Sequence, residues 1–131
     1  MVSGKLKDIF LFVIILFILH SLEEYFTGFY NFDPLLFKPL GQILPITSQA
    51  AFVLFQIVWI SLLILSYRLK VRRQLLLIVS IFWGIALVLE LEHLYRAFSF
   101  GGYTPGLVTS LLFPVVGVFY WKELLKNLHD A

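Results

Sequence analysis

DIFLFVIILFILHSLEEYFTGF, residues 8–29, decides how the rest of the chain is read. An unbroken apolar run from Ile9 to Leu19 passes straight into His20, Glu23 and Glu24, then returns to aromatic sequence. The stretch is long enough to cross a hydrocarbon layer, which takes about 20 mostly apolar helical residues. Lys5 and Lys7 ahead of it resemble the start of a secretion signal. No small-x-small cleavage site follows, however, and the run continues past His20, so a lasting helix is expected.

Three further segments have the same character, from about Ser48 to Tyr67, Gln74 to Ala97 and Pro105 to Leu125. With the first, about Asp8 to Phe29, they predict an all-α integral membrane four-helix bundle forming one transmembrane domain over residues 1–131. Composition agrees: 60% of the 131 residues are hydrophobic and 14% charged, and mean hydropathy is +0.93. A soluble domain this small has too much surface for its volume to hide so much apolar area. Disorder needs low hydrophobicity. Cysteine is absent, which excludes a disulfide scaffold, and the net charge of +2 is too small for a nucleic-acid binder, so no nucleic-acid partner is expected. Membrane lipids are the expected surroundings.

Charge placement predicts orientation. Lys5 and Lys7 precede span one; Arg68, Lys70, Arg72 and Arg73 fill the turn between spans two and three; Lys122 and Lys126 end span four. These are eight of the ten basic residues, and four spans put them all on one side. The positive-inside rule makes that side cytoplasmic, with both termini inside, in the cell (inner) membrane. Residues 30–47, with Pro34, Pro39 and Pro45, form a poor spanning helix and are expected in the interface or folded back on the bundle. In the second outer loop, Thr104 reads as an N-cap and Pro105 as the first helical residue. Pro114 interrupts span four and frees the Ser110 carbonyl, which reads as a simple kink or as the source of a ligand oxygen. Tyr120 and Trp121 read as an interfacial anchor at the inner end.

Ionisable residues inside spans are costly, and default to a functional reading. His20, Glu23 and Glu24 lie in span one, and Glu90, Glu92 and His93 in span three. With about 100° per residue, Glu23 lies about 60° to one side of His20 and Glu24 about 40° to the other. Glu90 and His93, spaced i, i+3, share a face. Glu92 points elsewhere and pairs with Arg96 in this reading. By helical rise, His20 sits about 20 Å beyond Lys7 and Glu90 about 25 Å beyond Arg73, so the two clusters meet in the outer half of the membrane.

Three chemistries fit such a cluster. Glu-x-x-His on a helix is the ligand spacing of carboxylate-bridged dimetal bundles, so His20, Glu23, Glu24, Glu90 and His93 are candidate ligands for a divalent Zn, Fe or Mn ion. The match is partial, because spans two and four carry no acidic or His residue in their interiors. Metal-free acid–base work would use His20 and a protonated carboxylate, with Glu24 and Tyr103 as candidate catalytic groups. Hydrogen-bonded glue between helices is the third. Gln49, Gln56, Thr109 and Ser110 are candidate donors to the carboxylates.

His20-x-x-Glu23-Glu24, then His93, then Tyr103-x-Pro105-Gly106-x-x-Thr109, resembles the HXXEE-motif family of small membrane proteins. The resemblance runs from span one to span four. It implies that His20, Glu23, Glu24, His93, Tyr103, Pro105, Gly106 and Thr109 form a common site, and it implies no activity. The expected function is a metal-dependent membrane enzyme acting on a lipid or other apolar substrate. The alternative is a small transporter or binding protein for a metal ion or proton. So thin a bundle leaves little room for a path through one protomer, an objection that a homodimer would relieve.

Overall fold

A computed structural model describes residues 3–33, 36–68 and 73–130, and every regular element among them is a helix. The long ones are α1 (Gly4–Thr27), α4 (Ser48–Arg68), α5 (Arg73–Leu89) and α8 (Phe113–His129). Short ones lie between them: α2 (Phe29–Phe32), α3 (Phe37–Ile43), α6 (Glu92–Phe100) and α7 (Leu107–Ser110). Four stretches, Gly4–Thr27, Ser48–Arg68, Leu75–Phe100 and Leu107–His129, are long and apolar enough to cross a membrane. Lys70 and Arg72 of the expected basic turn, and Pro34 of the first outer loop, lie outside the described residues.

α1 begins at Gly4, ahead of the expected Asp8, because the Ser3 hydroxyl accepts the Leu6 N–H and caps the helix. It stops at Thr27, where Gly28 takes a left-handed conformation. α1 packs on α4 along one side and on α7 and α8 along the other, and α5 packs on α8. Their shared core joins Phe10, Val13 and Phe17 of α1 to Leu63, Trp83, Leu87, Phe113 and Tyr120. Interhelical hydrogen bonds add to this packing. Trp83 Nε1 donates to Ser66 Oγ, and Ser21 Oγ to Gln56 Oε1.

Tyr120 and Trp121 are clamps rather than the expected interfacial anchor. The Tyr120 hydroxyl is buried and donates to the Ser80 carbonyl, and Trp121 Nε1 donates to the Gly84 carbonyl. A Cβ on residue 84 would meet the indole at 2.8 Å, so glycine lets the ring lie on the backbone of α5. The folded-back course expected for residues 30–47 is seen in α3, which packs on α4 through Phe37 against Phe52 and Phe29.

Spans three and four are both broken. Between α5 and α6 the Leu91 N–H reaches Val88 O and the His93 N–H reaches Glu90 O, a tightened three-residue hydrogen-bond spacing. Span four breaks at Leu111–Leu112, and Pro114 sits in the first turn of α8 rather than kinking a continuous helix. The expected cap is also corrected. Thr104 caps nothing and Pro105 is not helical; α7 starts at Leu107, after Gly106 with φ +85°.

Candidate metal centre

The centre lies where α1, the α5–α6 break and the Pro105–Thr109 segment meet. His20 and Glu24 are one turn apart on α1 and project from one face. Glu90 lies in the break and His93 just after it, and the tightened turn lines up residues three apart. His20, Glu24 and His93 are buried, while Glu90 is half-buried.

Each imidazole is fixed through its Nδ1. His93 Nδ1 lies 2.9 Å from the Pro105 carbonyl, which can only accept, so Nδ1 carries the hydrogen. His20 Nδ1 lies 2.7 Å from Thr109 Oγ1, and the Thr109 hydroxyl donates to Glu23 Oε2 at 2.6 Å. With its hydrogen spent there, Thr109 accepts from His20. Each ring, when neutral, therefore directs an Nε2 lone pair into the centre.

The Nε2 atoms face two carboxylate oxygens. His20 Nε2 is 3.6 Å from Glu24 Oε1 and 3.1 Å from Glu90 Oε2. His93 Nε2 is 3.4 Å from each of the same two oxygens. Each Nε2 thus faces the same two carboxylate oxygens. Neighbouring ligands about 2.0–2.1 Å from a tetrahedral zinc-type ion lie about 3.3–3.4 Å apart, close to the 3.6 and 3.4 Å from the two Nε2 atoms to Glu24 Oε1. His20, Glu24 and His93 each offer a ligand atom within 4.8 Å of the others, a set able to hold a metal ion. His20 Nε2 is fully buried without a hydrogen-bond partner, as a ligand nitrogen awaiting a cation would be.

A supporting shell surrounds the four. Gln56 Nε2 donates to Glu24 Oε2 and is itself held by Ser21. Gly106 lies against both rings; a Cβ there would meet His20 Cε1 at 2.8 Å and His93 Cε1 and Nδ1 at 2.9 Å. Phe113 and Phe29 pack against the two rings. A cavity of about 320 Å³ adjoins the centre, walled by Phe17, Phe29, Phe37, Phe55 and Trp59.

The five residues expected as ligands therefore separate into four and one. Glu23 turns away from the imidazoles and accepts from the Val108 and Thr109 N–H groups, the Thr109 hydroxyl and the Tyr103 hydroxyl. Tyr103 stands at the rim, with Glu23 and Thr109 between it and His20. Partial burial and the Glu23 carboxylate push its phenol above the ordinary value, which keeps it a donor. Of the four candidate supporting donors, Gln56 and Thr109 reach carboxylates. Gln49 instead donates to Tyr25, and Ser110 to the Leu107 carbonyl. Glu92 pairs with Arg96 at 2.6 Å, outside the centre, as its place on the helix predicts. Sequence reasoning missed the Pro105 carbonyl, whose role depends on a backbone course that no side chain announces.

No curated protein matches this sequence, and no solved structure matches this fold. A family model does match, over residues 11–120, a range that takes in His20, Glu23, Glu24, Glu90, His93 and Thr109. The chain belongs to the family of proteins of unknown function with the HXXEE motif.

Proposed function

We propose that the chain is a metal-dependent membrane enzyme acting on a lipid or other apolar substrate, with both termini on the cytoplasmic side. One observation carries the reading: two imidazoles, each with Nδ1–H engaged elsewhere, turn Nε2 towards two carboxylate oxygens at 3.1–3.6 Å. Four acceptors repel one another unless a cation or protons lie between them. The donor set of imidazole and carboxylate suits zinc, iron or manganese.

A divalent ion held by His20, Glu24 and His93, with one position left open, would supply Lewis acidity. The chain's own residues do the rest. Thr109 and the Pro105 carbonyl fix the rings, and Gln56 fixes Glu24. Both Glu24 oxygens are committed, one to Gln56 and one to the imidazoles. Glu90 is the most open of the four, and in this reading it passes a proton to or from a substrate in the cavity. The aromatic part of the wall favours an apolar substrate group, beside polar lining from Gln56, Asp33 and Arg96. Phe17, Trp83 and Phe113, each at most 1% exposed, fill the bundle near the centre, which disfavours a continuous path for an ion.

Elemental analysis of purified protein, after loading with zinc, iron or manganese, tests the centre. Wild type and Glu92→Gln are expected to hold a stoichiometric ion. A His20→Ala, Glu24→Gln, His93→Ala triple variant is expected to hold none. Stoichiometric metal in the triple variant, or a wild type that cannot be loaded, overturns the reading.

A further inference from the structure

A second cavity, of about 400 Å³, lies beside the first, with Phe29, Phe32 and Phe100 among its walls. Phe32 and Phe100 are largely exposed, so its mouth is apolar. Arg96 and Phe29 line both cavities, with the guanidinium 5.7 Å from the ring centroid, and so form a shared partition. Two polar features stand in this otherwise aromatic space.

The first is Arg96. Its Nε and Nη2 both contact one Glu92 oxygen, Oε1, so that partner engages a single edge of the fork. Glu92 is the more exposed of the two, with its side chain 54% accessible against 20% for Arg96. The second is Thr104. It is 8% exposed, lines the same cavity, and its buried hydroxyl has no hydrogen-bond partner. Buried hydroxyls without partners are uncommon, and an absent ligand is one explanation for them.

We propose that this cavity binds an amphiphile with one anionic group, a carboxylate or a phosphate, seated against Arg96 and Thr104 with its apolar part between Phe29, Phe32 and Phe100. Arginine matches both anions geometrically, and Thr104 adds a donor. Arg96 is the one cation among the lining residues. Pro105 belongs to this wall, and its carbonyl fixes His93, so the cavity and the metal centre share backbone. The inference depends on the enzyme reading for what happens to the amphiphile, but not for its binding.

The test uses the full chain in phosphatidylcholine nanodiscs, titrated calorimetrically with probes of equal chain length: dodecyl phosphate, dodecanoate, dodecanol and dodecylamine. Heats from empty discs are subtracted. Saturable binding of either anionic probe, but not of dodecanol or dodecylamine, is expected, and whichever anion binds more tightly identifies the headgroup. Arg96→Gln should weaken anion binding at least about tenfold, as loss of a charge-assisted contact does. Thr104→Val, which keeps the side chain's shape, should weaken it about threefold to tenfold. Equal uptake of all four probes, or unchanged anion binding in both variants, overturns the proposal. If Arg96→Gln fails to fold, Thr104→Val decides alone. Glu24→Gln separates this proposal from the metal reading, because it should lose the ion and still bind the anion. Metal without anion binding refutes only this inference; anion binding without metal refutes only the enzyme.

Discussion

Replacing Gly106 with alanine should disrupt the centre without touching a ligand. Two costs combine. Gly106 has φ +85°, and forcing an L-residue into left-handed backbone costs about 1–2 kcal/mol. The new Cβ would also lie 2.8–2.9 Å from atoms of His20 and His93. Neither ring can swing aside freely, since Thr109 and Pro105 hold their Nδ1 atoms. Overpacking of this kind costs about 1–3 kcal/mol, for a total of about 2–5 kcal/mol. Gly101 supplies the control: its φ is +67°, and a Cβ there meets nothing within 4 Å. Gly101→Ala should therefore show the backbone cost alone, about 1–2 kcal/mol. Equilibrium unfolding in mixed micelles measures both variants, and elemental analysis measures the retained ion. Gly106→Ala is expected to be the less stable by about 1–3 kcal/mol and to lose its metal, while Gly101→Ala keeps it. If the two variants agree within about 0.5 kcal/mol, the usual scatter between independent sites, and both retain the ion, the close approach of Gly106 to the rings does no structural work.

Two further expectations concern the supporting shell and the topology. Thr109→Val leaves His20, Glu24, Glu90 and His93 in place but removes the acceptor for His20 Nδ1 and a donor to Glu23. Metal affinity in a competitive chelator titration should fall about 10–100-fold, Thr109→Ser should recover most of it, and an unchanged affinity in the valine variant would show that the ring is held by other means. Reporter fusions after Asp130 and within residues 98–104 should report opposite sides, with Asp130 cytoplasmic; a C-terminus on the outer side would overturn the four-span topology.

The spans were legible because hydropathy and length suffice to mark a membrane-crossing helix, and here the apolar runs are long. The meeting of His20 and Glu24 with Glu90 and His93 was legible from helical spacing and depth. The division between Glu23 and Glu24 was not. Both flank His20 at modest angles, and only the Val108–Thr109 backbone, folded back from a distant part of the chain, draws Glu23 away. The break at Glu90–Leu91 was equally hidden, since neither proline nor glycine marks it. Thr104-Pro105 carries the composition of a helix start, yet α7 begins after Gly106, where the chain passes against two imidazoles. A local capping rule gives way there to packing that no local pattern encodes.

The hydrogen bonds that close the centre span 89 residues from His20 to Thr109 and 80 from Glu23 to Tyr103. A ribosome completes α1 long before it makes those partners. α1 is therefore made with His20, Glu23 and Glu24 unmatched. Their position softens this burden. Both acidic residues fall within the last two turns of α1, and the end of a membrane-crossing helix carries an insertion penalty below the value of about 2.5–3.5 kcal/mol at mid-membrane. Delivery of α1 can thus precede the rest without an intolerable cost. The polar centre can therefore close only after α6 and α7 have been made and bring His93 and Thr109 to α1.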